Sequence, residues 1–183
     1  DFTGAALMKA RLEGLHFEEA LFDGACLEGA RLNRAYLEGA ELYGAHLEGA
    51  WLVGAHLEGA RLARARLEGA RLARAHLEGA GLYGAHLEGA GLYGAHLEGA
   101  WLVGAHLARA RLYRALLDNA FFDGVDLSTV KNLTTLKLAV AWGDAATALP
   151  PGVERPVNER WLADQAPNIV AKARYARWVA WSA

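Results

Sequence analysis

Ala45-His46-Leu47-Glu48-Gly49-Ala50-Trp51-Leu52-Val53-Gly54-Ala55-His56-Leu57-Glu58-Gly59 is one five-residue phrase, Ala-x-Leu-x-Gly, written three times. In both directions the phrase continues. From Phe2 to Leu127 every fifth residue is Leu or Phe, giving 26 consecutive units. Two places before nearly every one stands Ala, with Leu15 and Val125 as exceptions. The last place of the unit is usually Gly, but Arg34, Arg64, Arg74, Arg109 and Arg114 also occupy it.

An α-helix cannot use this period. Five residues advance a helix by about 500°, so the leucines would wander over every face. A flat strand fails too, because side chains alternate with period 2 and an odd repeat sends successive leucines to opposite sides. A short extended piece followed by a corner resolves the conflict. Ala and Leu then both point inward, the residues beside Leu point outward, and Gly suits the corner because it tolerates positive φ. Units alternate in pairs, as in Gly81-Leu82-Tyr83-Gly84-Ala85 followed by His86-Leu87-Glu88-Gly89-Ala90. That ten-residue super-period fits a coil with an even number of sides. Four sides make a coil of 20 residues, and 26 units make 6.5 coils. A lone coil cannot bury its leucines, so stability comes from stacking neighbours.

The unbroken Ala-x-Leu-x-Gly register over residues 1–130 resembles the pentapeptide-repeat family. The resemblance implies an all-β solenoid, specifically a right-handed quadrilateral parallel β-helix. One feature departs from the family. Asp or Asn often precedes its central Leu or Phe, whereas here that place holds His, Arg, Trp, Tyr or Gly. The sequence is therefore divided into a repeat domain, 1–130, and a partly helical C-terminal capping segment, 131–183. Within the latter, Trp142-Gly143-Asp144, Thr147, Leu149-Pro150 and Arg155-Pro156 resemble the tail that follows the coil in many bacterial family members. After Pro167, Asn168 to Trp181 reads as a helix, with Asn168 as its start signal. Its Trp178, Val179 and Trp181 are expected to cap the last coil, or else to meet across a homodimer axis. The basic residues Lys172, Arg174 and Arg177 form too short a face for a membrane-surface helix.

Residues 20 apart should stack in columns, which turns the sequence into a surface map. One face carries Glu18, Glu38, Glu58, Glu78, Glu98 and Asp118 beside His16, Tyr36, His56, His76, His96 and Leu116. The opposite face carries Glu28, Glu48, Glu68 and Glu88 beside Cys26, His46, Arg66, His86 and His106. Between them lies a basic face with Arg11, Arg31, Arg71 and Arg111, and a fourth face mixes Tyr43, Arg61, Arg64, Tyr83 and Trp101. The two carboxylate columns are the candidate interaction surface. Imidazoles on adjacent strands can both reach one ion, and His86, His106 and Glu88 share a face. Such neighbours are more often simply exposed, so no metal and no other cofactor is expected.

Several function classes are disfavoured. The formal net charge is −2, without the basic excess of a general nucleic-acid or membrane-surface binder. No run of about 18 apolar residues suggests a membrane span. The single cysteine, Cys26, rules out an internal disulfide and fits a reducing, cytoplasmic setting; it is expected to be an exposed free thiol. Serine occurs only at Ser128 and Ser182, neither in a Gly-x-Ser-x-Gly context, and no phosphate-binding glycine loop is present. General acid–base chemistry needs a water-excluding concavity, and a filled solenoid offers none. The expectation is a non-catalytic scaffold that binds another protein. The family resemblance implies an alternative: mimicry of DNA, binding to DNA gyrase and protection of it from topoisomerase poisons.

Overall fold

The structure, a computed structural model, describes residues 1–157 and residue 160. Its backbone is organised by parallel pairing between residues 20 apart, as in Cys26 with His46, Arg31 with Trp51, Tyr36 with His56 and Glu41 with Arg61. These four pairs are the four sides of one turn of a β-solenoid. The same register repeats from Ala6 to Lys131, with only the His106–Asp126 rung missing among the described residues. Each bridge is a short hydrogen-bonded link between turns: His46 N–H donates to Ala25 O at 2.9 Å, and Leu47 N–H donates to Arg66 O at 2.7 Å.

Corners form inside each unit. Ala50 N–H donates to Leu47 O at 3.0 Å, closing a β-turn over Leu47-Glu48-Gly49-Ala50. Gly49, third in that turn, has φ +63°, the left-handed value a type II turn requires there. The corner residues that are not glycine adopt the same conformation. Lys9, Glu19, Arg34, Arg64, Arg74, Arg109, Arg114 and Asn119 all have φ between 56° and 62°. The corner thus fixes the backbone whatever residue fills it. The charged corners are also spaced to lie over glycines: Arg34 Cγ would stand 3.7 Å from a Cβ at Gly54, and Arg74 Cγ 3.7 Å from one at Gly94.

The interior is a continuous cylinder of Leu and Ala. From Phe22 onward, the Leu, Phe and Ala of the inward positions are buried through Leu127. Burying each leucine stabilises the fold by roughly 1.5–3 kcal/mol. The first turn is less covered: Leu7, Leu12 and Phe17 are half-buried, and Phe2 is exposed. There Phe2, Phe17 and Phe22 pack ring to ring, with centroids 4.8–5.6 Å apart.

Pairing runs on beyond residue 130, the expected boundary. Lys131 bridges Arg111 at the regular separation, then the spacing lengthens: Trp142 bridges Phe121, 21 residues away, and Ala148 bridges Asp126, 22 away. A short helix, α1 (Thr135–Leu138), takes up the extra chain. Its Leu138 is fully buried against the last turn, with Leu133 and Ala141 beside it. Lys137 Nζ donates to Leu112 O at 3.0 Å, satisfying a carbonyl of the turn below. Beyond α1, Thr147 is the one polar residue of the core among the described residues. Its hydroxyl donates to Phe122 O at 2.9 Å, and its N–H donates to Asp144 Oδ1 at 3.0 Å. Arg155 donates to Asp144 O and to Thr147 O, tying the tail down. The expected helix from Asn168 to Trp181, with Trp178, Val179 and Trp181, lies outside the described residues. Among the described residues no helix is long and apolar enough to cross a membrane.

Candidate functional site on two opposite faces

The twenty-residue register brings together the side chains that the sequence places in columns. On the first acidic face the rings of His16, Tyr36, His56, His76 and His96 form one continuous stack. Successive centroids are 4.3, 4.9, 4.9 and 4.7 Å apart. Ring stacking arises because outward side chains on adjacent turns are held at the strand spacing of about 4.8 Å. Sequence reading finds this column but not the stacking. On the opposite face His86 and His106 stack at 4.6 Å, with planes 4° apart.

Each column of rings is laced to its column of carboxylates. His56 Nδ1 is 3.4 Å from Glu58 Oε1 of its own turn and 4.0 Å from Glu38 of the neighbouring turn. The pattern repeats at His76, which is 3.3 Å from Glu78 and 3.8 Å from Glu58, and at His96, which is 3.3 Å from Glu78 and 3.7 Å from Glu98. At the end of the column His16 Nδ1 meets Glu18 at 2.7 Å, and that contact holds the Glu18 carboxyl below its ordinary range. Opposite, His46 lies between Glu28 and Glu48, and Arg66 Nε lies 3.0 Å from Glu48 and 3.6 Å from Glu68. The repulsion expected of stacked like charges is offset at Glu48 and Glu68 by the Arg66 guanidinium, and His16, His56 and His76 each hydrogen-bond the carboxylate of their own turn. One oxygen of each carboxylate faces these partners. The other, Oε2 of Glu28, Glu38, Glu48, Glu58, Glu68, Glu78, Glu88 and Glu98, is buried with no hydrogen bond among the described residues. Cys26, expected to be exposed, is half-buried in the second column. Asp118 closes the first carboxylate column, its backbone carbonyl accepting from Gly99 N–H at 2.8 Å.

Four groups of these side chains place three metal-ligand atoms within 4.8 Å of one another: His76, Glu78 and His96; His86, Glu88 and His106; Glu28, His46 and Glu48; and Glu38, His56 and Glu58. The sequence singles out only the second.

The basic face has its own order. Trp51 lies between two arginines one turn away on either side, with the Arg31 guanidinium 5.3 Å and the Arg71 guanidinium 4.5 Å from its ring centre. Arg31 also pairs with Glu13. Arg71 and Arg111 then border an open hollow over Gly91, walled by Tyr93 and Tyr113. On the fourth face Arg61 pairs with Glu41 at 2.9 Å, Arg64 reaches Tyr43 Oη at 2.9 Å, and Tyr83, Trp101, Phe121 and Trp142 stack in line. An arginine–aromatic alternation at twenty-residue spacing was the signal available for this pattern.

Eight copies of the pentapeptide repeat match the sequence, over residues 1–39, 40–79, 60–99 and 90–128. The chain belongs to the pentapeptide-repeat family. No curated protein matches it in sequence. Among solved structures it is similar to HetL, a pentapeptide repeat protein involved in heterocyst differentiation regulation from the cyanobacterium Nostoc sp. strain PCC 7120. Identity is 29%, TM-score 0.50, and the match covers 81% of this chain and 78% of HetL. It is also similar to a pentapeptide repeat protein of the Arabidopsis thaliana thylakoid lumen, at 25% identity and TM-score 0.49, covering 72% and 79% of the two chains. A more distant likeness, to the plasmid-mediated fluoroquinolone resistance protein QnrB1, has 17% identity and TM-score 0.44, covering 91% and 83%. The family match and the likeness to HetL support a pentapeptide-repeat β-solenoid.

Proposed function

We propose that this pentapeptide-repeat protein is a non-catalytic, cytoplasmic scaffold that docks a basic partner protein on its carboxylate faces. The observation that carries the reading is the pair of columns, Glu18 to Asp118 and Glu28 to Glu88, which sets one carboxylate per turn on each of two opposite walls. A rigid solenoid presents such columns without ordering flexible loops, which lowers the entropy lost on binding. The full architecture proposed is a right-handed quadrilateral β-helix of about 6.5 coils with a C-terminal cap. Support for a non-enzymatic role comes from the convex, filled walls on which the His and Glu side chains stand.

The test is a charge-reversal pull-down with Glu38→Lys/Glu58→Lys/Glu98→Lys. A partner captured from cell extract should be released by added salt and not captured by the variant. Equal capture by both proteins overturns the reading.

A second reading, gyrase binding by DNA mimicry, draws on the same unbroken carboxylate columns and on the family. The arginine face between them opposes it. A supercoiling assay with purified gyrase decides: inhibition, or protection from a quinolone, supports this reading, and no effect at micromolar protein removes it.

A further inference from the structure

We infer that His76, Glu78 and His96 form a binding site for a divalent transition-metal ion, with Zn²⁺ as the natural probe. Glu78 Oε1 stands 3.3 Å from His76 Nδ1 and 3.3 Å from His96 Nδ1. It is the midpoint of the column, since the flanking contacts are longer: Glu58 to His76 is 3.8 Å and His96 to Glu98 is 3.7 Å. Zinc binds imidazole nitrogen and carboxylate oxygen at about 2.0–2.2 Å, usually tetrahedrally. Two ligands of such an ion are then about 3.4 Å apart. The two nitrogen–oxygen separations at Glu78 already match that edge.

All three donor atoms lie within 4.8 Å of one another. Both rings are only partly covered by neighbours, so small χ rotations can bring their nitrogens together. Their planes already diverge by 24°, whereas those of His56 and His76 are 3° apart and those of His86 and His106 are 4° apart. Glu78 Oε2 is buried and makes no hydrogen bond among the described residues, as is true of eight of the column glutamates, so it is the paired contacts of Oε1 that set Glu78 apart. The donor set, two imidazoles and one carboxylate, suits zinc or copper and not calcium or magnesium.

The other three groups are weaker. Glu28–His46–Glu48 and Glu38–His56–Glu58 offer one nitrogen each. His86–Glu88–His106 offers two, but Glu88 contacts only His86, at 3.5 Å, and His106 has no carboxylate within ion-pair distance among the described residues. Because His76 and Glu78 sit on one turn and His96 on the next, the ion would staple two turns of the solenoid.

The experiment is calorimetric titration of the full-length, tag-free protein with ZnCl₂ at neutral pH, with thermal unfolding as a second readout. One tight site is expected, together with a zinc-dependent rise in Tm, since a ligand of the folded state stabilises it. His96→Gln and Glu78→Gln should each weaken that site about tenfold or more and abolish the Tm rise, while His86→Gln/His106→Gln leaves both intact. These are outward side chains, so each variant should keep the parent circular dichroism spectrum. The assignment is overturned if sub-millimolar zinc gives no heat, if His96→Gln binds as the parent does, or if only the His86/His106 pair matters. A failed partner pull-down would leave this result untouched.

Discussion

The indole of Trp142 lies parallel to the ring of Phe121, 6.0 Å away with planes 8° apart, although 21 rather than 20 residues separate them. The solenoid's vertical stacking therefore survives the end of the five-residue repeat. Trp142 N–H donates to Ala120 O at 2.7 Å, and Phe122 N–H to Trp142 O at 2.9 Å, so the tail is hydrogen-bonded as a further strand would be. Trp142→Ala removes the ring stack from a half-buried site. The expected loss is about 2 kcal/mol, or about 4–8 °C in Tm for a chain of this size, read by circular dichroism melting. A change under one degree would show that the tail adds nothing to the turn beneath it.

The core makes a harsher demand. Leu67 is buried in the middle of the stack, with turns above and below and no solvent route for a longer side chain. Leu67→Ala should lose about 3–5 kcal/mol, the usual range for a large-to-small change in a packed interior. Leu67→Lys should not fold, because an unpaired charge would have to leave water. A folded Leu67→Lys protein with a parent-like spectrum would contradict the inward-facing register.

Much of this was readable from residue order because the repeat is a physical constraint applied 26 times. The period of five dictates the corner, Ala-x-Leu dictates what points inward, and paired units dictate an even-sided turn. The stacks of His56, His76 and His96 follow from the columns, but ring tilts and individual His–Glu distances depend on rotamers, which a sequence does not encode. Residue order therefore points to His86, His106 and Glu88, whereas the shorter, symmetric contacts at Glu78 show only in the structure. The tail was harder still. With no period to follow, its insertions of one and two residues and its Thr147–Asp144 network leave only weak local signals.

The corners yield a stabilising change. Arg74 is exposed, and its φ of +56° is one that non-glycine residues adopt at a penalty of about 1–2 kcal/mol. Glycine removes the penalty but adds backbone entropy to the unfolded chain, worth about 0.5–1 kcal/mol. Arg74→Gly should therefore gain about 0.5–1 kcal/mol and raise Tm by about 1–4 °C. Arg64→Gly is the contrast. Its φ is +57°, but the change also removes the hydrogen bond to Tyr43 Oη, so its gain should be smaller. If Arg74→Gly melts lower than the parent, contacts of the arginine stem over Gly94 outweigh the backbone strain.

Asp123 carries a pH signature. Burial, and secondarily the nearby Asp144, pushes its carboxyl above the ordinary range. Its Oδ2 is buried without a hydrogen bond among the described residues. The folded state therefore holds the Asp123 proton more tightly than the unfolded chain does. Below the unfolded pKa of about 3.9 both states are protonated at this site, and it imposes no ionisation penalty. As pH rises through the window between the unfolded and the raised folded pKa, the unfolded state loses its proton first, and stability falls. Above that window the full penalty persists. Asp123→Asn keeps the shape, removes the charge, and should raise Tm at pH 7. That gain should shrink steadily on acidification and vanish below about pH 4. Parallel melting curves of parent and variant across this range provide the check. A gain independent of pH would mean that the benefit comes from packing or hydrogen bonding and not from relief of a buried charge.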